Sequence, residues 1–420
     1  MSSHTSSSSI NYQFTTPGKY RLWSLALLGI GVLSLIIGYF VYGTGDEHHE
    51  ARFWAALLQN SVYFLLVVNA AMFFMCATTL AFGGWQMSFR RVVEAISATV
   101  PVLGAITLII LLILVLGHKH HIYHWVDAEA VKNDKILSGK SSFLNPTFFI
   151  IWTILTIVLW VVLGHKMRQL SRELDNNPLP SVEAARRYIF KNTVWAAIFM
   201  VWFVLTVMST IPWLWLMSID AHWYSTMYSW YTFASSFVAG VALITLFVIY
   251  LKNQGYLELT NNEHLHDLGK FMFAFSIFWT YLWFSQFMLI WYANIPEETV
   301  YFKPRVQGAY KPVFFLNLII NFLAPLLILM RRESKRNYTT ITFMAVLLLV
   351  GHWIDFYQMV FPTPTRSETG EYHVVLGLFD IGIALGFVGL IMFLTARTLS
   401  KYPLIPRNHP FLKESIIHHT

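Results

Sequence analysis

His352 and Asp355 stand three residues apart inside the apolar run "ITFMAVLLLVGHWIDFYQMVF". On a helix that spacing sets both side chains on one face, where they can hydrogen-bond or exchange a proton. The run is long enough to cross a bilayer. Ionisable side chains are expensive there, and by default they mark a proton, ion or substrate site. A structural pair tying two helices together is the competing reading. Asp380, His118 and Gln286 fall at a similar depth in or beside other apolar runs. On the opposite side of the membrane, Glu94 in "RRVVEAIS" and His165 at the end of the fourth run are candidates for a proton inlet. Either could instead snorkel to the headgroups.

The loop "GHKHHIYHWVDAEAV" gathers His118, His120, His121, His124 and Asp127. Clustered His can bind metal or relay protons. The spacing matches no closed tetrahedral zinc pattern, so a solvated loop at a partner interface is expected and no metal site is assigned. Haem ligation needs two axial His at one depth on facing helices. Only His118 and His352 meet that condition, and an Asp one turn from His352 is an unusual companion. Cys76 is the single cysteine, and one thiol neither closes an intrachain disulfide nor holds an iron–sulfur cluster alone. No haem or cluster is therefore expected on this chain by itself. The stretch "FAFSIFWTYLWFSQFMLIWY", which holds Trp283 and Gln286, is denser in aromatic residues than interfacial anchoring requires. A slot for a flat hydrophobic ligand is one explanation and tight helix packing the other.

These residues must be positioned by membrane helices. Charged residues are 12% of the chain, about half the share of a soluble domain, and the mean hydropathy is +0.53. A spanning helix takes about 20 apolar residues. Ten such runs occur, near 20–42, 53–82, 95–117, 146–164, 193–217, 228–251, 268–292, 313–330, 338–360 and 376–396. The expected fold is all-α, a polytopic membrane protein. About 20 of the 29 Lys and Arg fall on the side that carries both termini, which the positive-inside rule makes cytoplasmic. The basic pI of 9.3 partly reflects that bias and does not indicate nucleic-acid binding. No cleavable signal peptide is evident.

The chain divides into a Ser-rich, mobile tail over 1–19, a membrane domain over 20–397 and a polar tail over 398–420. Within the long connection 165–192, Pro180 and Ser181 predict a helix start with Glu183 in its first turn. Pro101, Pro212 and Pro325 lie within spans, where kinks are tolerated. No clear internal repeat is visible.

"VGHWIDFYQMVFPTP" resembles the ninth-helix motif of the NrfD-like (polysulfide reductase membrane subunit) family found in bacterial alternative complex III, and "FSIFWTYLWFSQFMLIWYANIPEET" its seventh-helix segment. The likeness extends over nearly all ten runs, and the length and short tails look most like the F subunit of that quinol:cytochrome c oxidoreductase. The resemblance implies two four-helix bundles plus two further helices in a bacterial inner membrane. It implies a multihaem c-type cytochrome, an iron–sulfur subunit and a related NrfD-like membrane subunit as partners, with a terminal oxidase as a possible acceptor. Menaquinol would be oxidised near the outer face. The family's ninth-helix His and Asp fall on His352 and Asp355; Asp380 is added from its depth alone.

The expected role is therefore a membrane subunit of a quinol-oxidising complex. It would supply a quinone site built on His352, Asp355, Gln286 and Trp283, a proton pathway through His352, Asp355, Asp380, His118, Glu94 and His165, or both. A proton-coupled transporter and a structural anchor are the alternatives. Broken helices at corresponding positions of two halves would favour the transporter.

Overall fold

The computed structural model describes residues 12–366 and 372–419. Much of the expected mobile tail, 1–11, lies outside the described residues. Ten helices are long and apolar enough to cross a membrane: α1 Gly18–Gly43, α2 Glu47–Leu80, α3 Arg90–Leu116, α4 Pro146–Asp175, α5 Val182–Trp215, α6 Met227–Asn253, α7 Asn262–Ala293, α8 Gly308–Leu329, α9 Tyr338–Val360 and α10 Leu378–Leu399. No strand forms among the described residues, and Arg366 and Tyr372 meet only as an isolated bridge. An even number of spans puts both termini on one face, where the Leu404 amide donates to the Tyr12 carbonyl.

The helix starts are written in the sequence. Ser181 caps α5 by accepting from the Ala184 amide, with Glu183 in the first turn, as predicted. Asn145 and Pro146 start α4, Asn337 starts α9, and Asn261 forms a capping box with His264 at α7. Each side chain satisfies amides that a helix start leaves without partners.

Helices α2 to α5 pack in a closed ring: α2 on α3, α3 on α4, α4 on α5, α5 on α2. Helices α6 to α9 repeat the same circuit, and α2 packs on α6 where the two bundles meet. Both central helices are buried along most of their length. Since α2 and α6 run in the same direction, the bundles are related as a parallel repeat. The amino-acid sequence does not betray it, because the bundles share a packing circuit rather than residues.

Helices α1 and α10 form a separate pair that leans on α2 and on the first turns of α3. A Cβ on Gly386 would lie 2.6 Å from the Gly31 Cα, and one on Gly389 would lie 2.7 Å from the Ser24 carbonyl. Backbones this close need small residues, the usual way two helices associate in lipid.

Two of the prolines sit beside widened turns. Thr206–Thr210 in α5 and Ile319–Leu323 in α8 are π-helical, just ahead of Pro212 and Pro325. Proline lacks an amide hydrogen and its ring collides with the carbonyl four residues back; a π turn relieves both. In α3 the helix breaks at Ala98–Thr99, ahead of Pro101.

Candidate functional site

Asp355 sits on α9 inside the second bundle and is wholly buried. Four donors from three other helices converge on its carboxylate. The Tyr231 hydroxyl and Asn317 Nδ2 (2.7 Å) donate to Oδ1; the Ser235 hydroxyl (2.8 Å) and Trp279 Nε1 (2.9 Å) donate to Oδ2. Tyr231 and Ser235 lie one turn apart on α6, Trp279 on α7 and Asn317 on α8. A buried carboxylate is tolerable only when its lone pairs are engaged in this way.

His352, one turn earlier on α9, is equally buried. Its Nδ1 lies 2.9 Å from Ser235 Oγ, and the Trp279 ring meets the imidazole edge-on at 5.6 Å. Among the described residues, Nε2 has no hydrogen-bond partner. His352 and Asp355 do share a face, as their spacing predicts. They are joined through the Ser235 hydroxyl, not directly.

The neighbouring helices are shaped to this arrangement. The π turn of α8 holds Asn321, whose Nδ2 donates to Asn317 Oδ1 at 2.5 Å. That bond orients the Asn317 amide so that its Nδ2 faces Asp355. Opposite, a Cβ on Gly351 would strike the Asn321 side chain and Ile320. Glycine next to His352 is thus what lets α8 come close enough to place Asn317.

Towards the face opposite the termini, Arg305 fastens a loop over the end of α9. Its Nε donates to the Gln358 carbonyl (2.9 Å), its Nη2 to the Met359 carbonyl (3.3 Å), and it pairs with Asp220 at 3.4 Å. Its guanidinium lies 3.5 Å over the Tyr301 ring, which stacks on Trp223 at 4.1 Å. The Tyr228 hydroxyl, one turn before Tyr231 on α6, is buried between this cluster and Asp355.

The other residues named from sequence are dispersed. Asp380 is buried at the start of α10, accepting from the Gly377 amide (2.8 Å) and from Arg52 on α2 (3.4 Å). No hydrogen bond among the described residues links it to His352 or Asp355. Gln286 donates to Ser225 Oγ at 2.7 Å. Trp283 stacks on Trp279 and on Phe314, at 6.1 and 4.7 Å, one ring removed from Asp355. His118 is exposed beyond the end of α3, in the other bundle.

Glu94 and His165 are not brought together. His165 is exposed on α4. Glu94 is buried among Arg91 (2.7 Å), Arg90 (3.4 Å), Arg172 (3.8 Å) and the Ser171 hydroxyl. Three guanidinium groups around one carboxylate make a fixed ionic knot at the face that carries the termini. In the His-rich loop, Lys119 pairs with Glu50 at 2.5 Å and His121 lies 4.0 Å from the same carboxylate. Burial pushes the His121 imidazole below its ordinary value. Asp134 in the same loop is held down to about 2 by its hydrogen bond with His222.

The aromatic stretch of α7 does not line the large apolar cavity of the molecule. That cavity, about 630 Å³, lies between α1, α2, α6, α9 and α10 and includes Trp353 and Ile354 on the back of α9. Neither His352 nor Asp355 borders it.

Sequence reasoning missed Tyr231, Ser235, Asn317 and Asn321. A weak signal was present: Asn317 and Asn321 are polar residues one turn apart in an otherwise apolar run, beside Pro325. Polar side chains inside spans face protein or water rather than lipid, so both had to point at something.

Among curated proteins, none matches the chain. A family profile described as "Polysulphide reductase, NrfD" matches residues 45–365, from just before α2 to just past α9, and so takes in both bundles. That span contains His352, Asp355 and all four donors to the carboxylate, and the chain belongs to the NrfD polysulphide reductase family.

Proposed function

We propose that this chain is the proton-handling membrane subunit of a quinol-oxidising respiratory complex of the alternative complex III type. Family membership makes it a membrane subunit of a redox complex, working beside iron–sulfur and other redox subunits. The finer assignment is supported by one observation above all. A wholly buried carboxylate and a wholly buried imidazole are bridged by a single hydroxyl.

The Ser235 hydroxyl has one proton, so it donates to His352 or to Asp355 but not to both. In one state, His352 is an imidazolium with protons on both ring nitrogens, its Nδ1–H donates to Ser235 Oγ, and the Ser235 proton points to the Asp355 carboxylate. Shifting both protons along that line gives the second state. There Asp355 Oδ2 is protonated and donates to Ser235, whose hydroxyl donates to the bare His352 Nδ1. One proton has moved from His352 to Asp355 with no heavy atom displaced. The remaining donors, Tyr231, Asn317 and Trp279, stabilise the carboxylate in the first state and still find lone pairs in the second. His352 Nε2 is the end at which a proton is taken up, and the Tyr231–Tyr228 side leads towards the Arg305–Asp220 cluster.

Menaquinol oxidation in the complex yields the quinone, two protons and two electrons; the electrons pass to the iron–sulfur and c-type haem subunits. Because His352 and Asp355 are both wholly buried, we assign them to the protons and not to the quinone ring. The π turns also weigh against a transporter. They fall in the fourth helix of one bundle and the third of the other, not in corresponding positions.

Purification from the native membrane in mild detergent tests the assignment. Co-purification of a multihaem c-type cytochrome and an iron–sulfur subunit is expected. A chain that purifies alone and moves a solute against a proton gradient in liposomes would refute it.

A further inference from the structure

The large apolar cavity between α1, α2, α6, α9 and α10 has a hydrocarbon lining and a basic rim. We propose that it binds an acyl chain of an anionic phospholipid whose headgroup lies on the face that carries both termini. This proposal is independent of the redox assignment.

The walls are hydrocarbon: Val67, Leu246, Val350, Ile354, Leu385 and Val388 are representative. Three of the four polar side chains on its lining are already engaged. The Tyr20 hydroxyl donates to the Met392 carbonyl (3.2 Å), the Tyr63 hydroxyl to the Leu349 carbonyl (2.7 Å), and Trp353 Nε1 to Asn60 Oδ1 (2.8 Å). The Tyr250 hydroxyl, at the mouth, is the one lining donor left over; deeper in, none remains for a quinone carbonyl or a peptide. A chain of methylenes asks for none.

The cavity cannot close on itself. Helix α10 forms one wall and is pinned at two levels. The Gly31–Gly386 contact locks it to α1, and Arg52 grips Asp380 at its far end. An apolar groove of this size left unfilled forfeits dispersion contacts along its lining, and a lipid chain supplies them.

Charge gives the headgroup. The mouth near the termini is framed by Tyr20 and Tyr250, whose rings meet at 5.0 Å. The helix ends beside it carry Lys19 and Arg21 on α1 and Arg397 on α10, with Lys401 just beyond, all four exposed. No Asp or Glu occurs in residues 12–45 or 381–413. Basic residues at a bilayer surface favour acidic headgroups. The bound chain would also brace α9, since Val350 and Ile354 line the cavity while His352 and Asp355 lie away from it.

The test is native mass spectrometry of the intact complex after washing in delipidating detergent, with lipid extraction to identify the headgroup. Wild type is expected to keep a stoichiometric phosphatidylglycerol or other acidic phospholipid. Ala384→Trp and Leu246→Trp, which fill the cavity, are expected to lose it. Ile113→Trp, on the exposed side of α3, is expected to keep it. Retention of the lipid in both filled variants, or a quinone in its place in wild type, overturns the proposal. Should the filled variants not assemble, delipidated wild type decides the matter. Its melting temperature should rise with phosphatidylglycerol and not with phosphatidylcholine of the same chains; an equal response to both overturns the proposal.

Discussion

His352 and Asp355 meet through a third residue: Ser235 Oγ lies 2.9 Å from the imidazole Nδ1 and 2.8 Å from the carboxylate Oδ2. The pair is therefore bridged by a hydroxyl and is not a direct ion pair. A direct salt bridge would hold a proton in one place. A bridging hydroxyl lets it occupy either end.

Asp355→Asn is expected to impair assembly, not only chemistry. Each carboxylate oxygen accepts from two donors. An amide NH2 would face an N–H donor, Asn317 or Trp279, in whichever orientation it adopts, while the Tyr231 and Ser235 hydroxyls can turn to accept. Donor groups left unpaired in a buried site cost roughly 1–3 kcal/mol each. Haem content per membrane, measured for wild type and variant, checks this; normal assembly of Asp355→Asn would refute it.

Gly351→Ala should act on the same site from outside it. The new methyl would collide with Asn321 and Ile320, pushing α8 away and withdrawing Asn317 from Asp355. Overpacking of this kind costs about 1–3 kcal/mol. A lowered melting temperature with reduced turnover is expected. Ala substituted at Val346, an exposed residue of the same helix, should do neither.

The C-terminal segment should loosen in mild acid. His409 is buried against the Tyr188 ring, and burial together with Arg90 and Arg91 pushes its imidazole down to about 3. An undocked segment would titrate near 6.5. Docking is therefore at full strength above that value and weakens as pH falls towards 3, because only the undocked form takes the proton. The loss is about 2 kcal/mol at pH 5. Hydrogen exchange of the segment's amides at pH 7 and 5, corrected for intrinsic rates, should show it. His409→Asn should reduce the difference.

Gly386→Leu is expected to separate α1 from α10, because no side chain fits against the Gly31 backbone. Crosslinking between cysteines placed at Ser24 and Leu390, near the neighbouring Ser24–Gly389 contact, should fall sharply while the two bundles stay folded.

The spans, the helix starts and the buried pair on α9 were legible in the sequence, because hydropathy, capping chemistry and helical spacing are local properties. What touches the pair was not. Ser235, Tyr231 and Asn317 become ligands of Asp355 only when α6 and α8 turn particular faces to α9, and the π turn ahead of Pro325 decides the face of α8. Similar depth also misleads as a guide to proximity. Asp380 and His118 share a level with His352, yet one pairs with Arg52 and the other is exposed outside the first bundle. The parallel repeat stayed hidden for a related reason: lipid-facing helices of Leu and Val pack alike without resembling each other residue by residue.

The most direct measurement is proton release per menaquinol oxidised, with turnover, for complexes quantified by haem content. Ser235→Ala removes the bridge while leaving Asp355 three donors. It should assemble, lose turnover by about a hundredfold or more, the range of a positioned proton donor or acceptor, or release fewer protons per quinol, and recover with Ser235→Thr, which restores the hydroxyl. Unchanged turnover and unchanged proton release in Ser235→Ala, at normal assembly, would contradict a proton path through His352, Ser235 and Asp355.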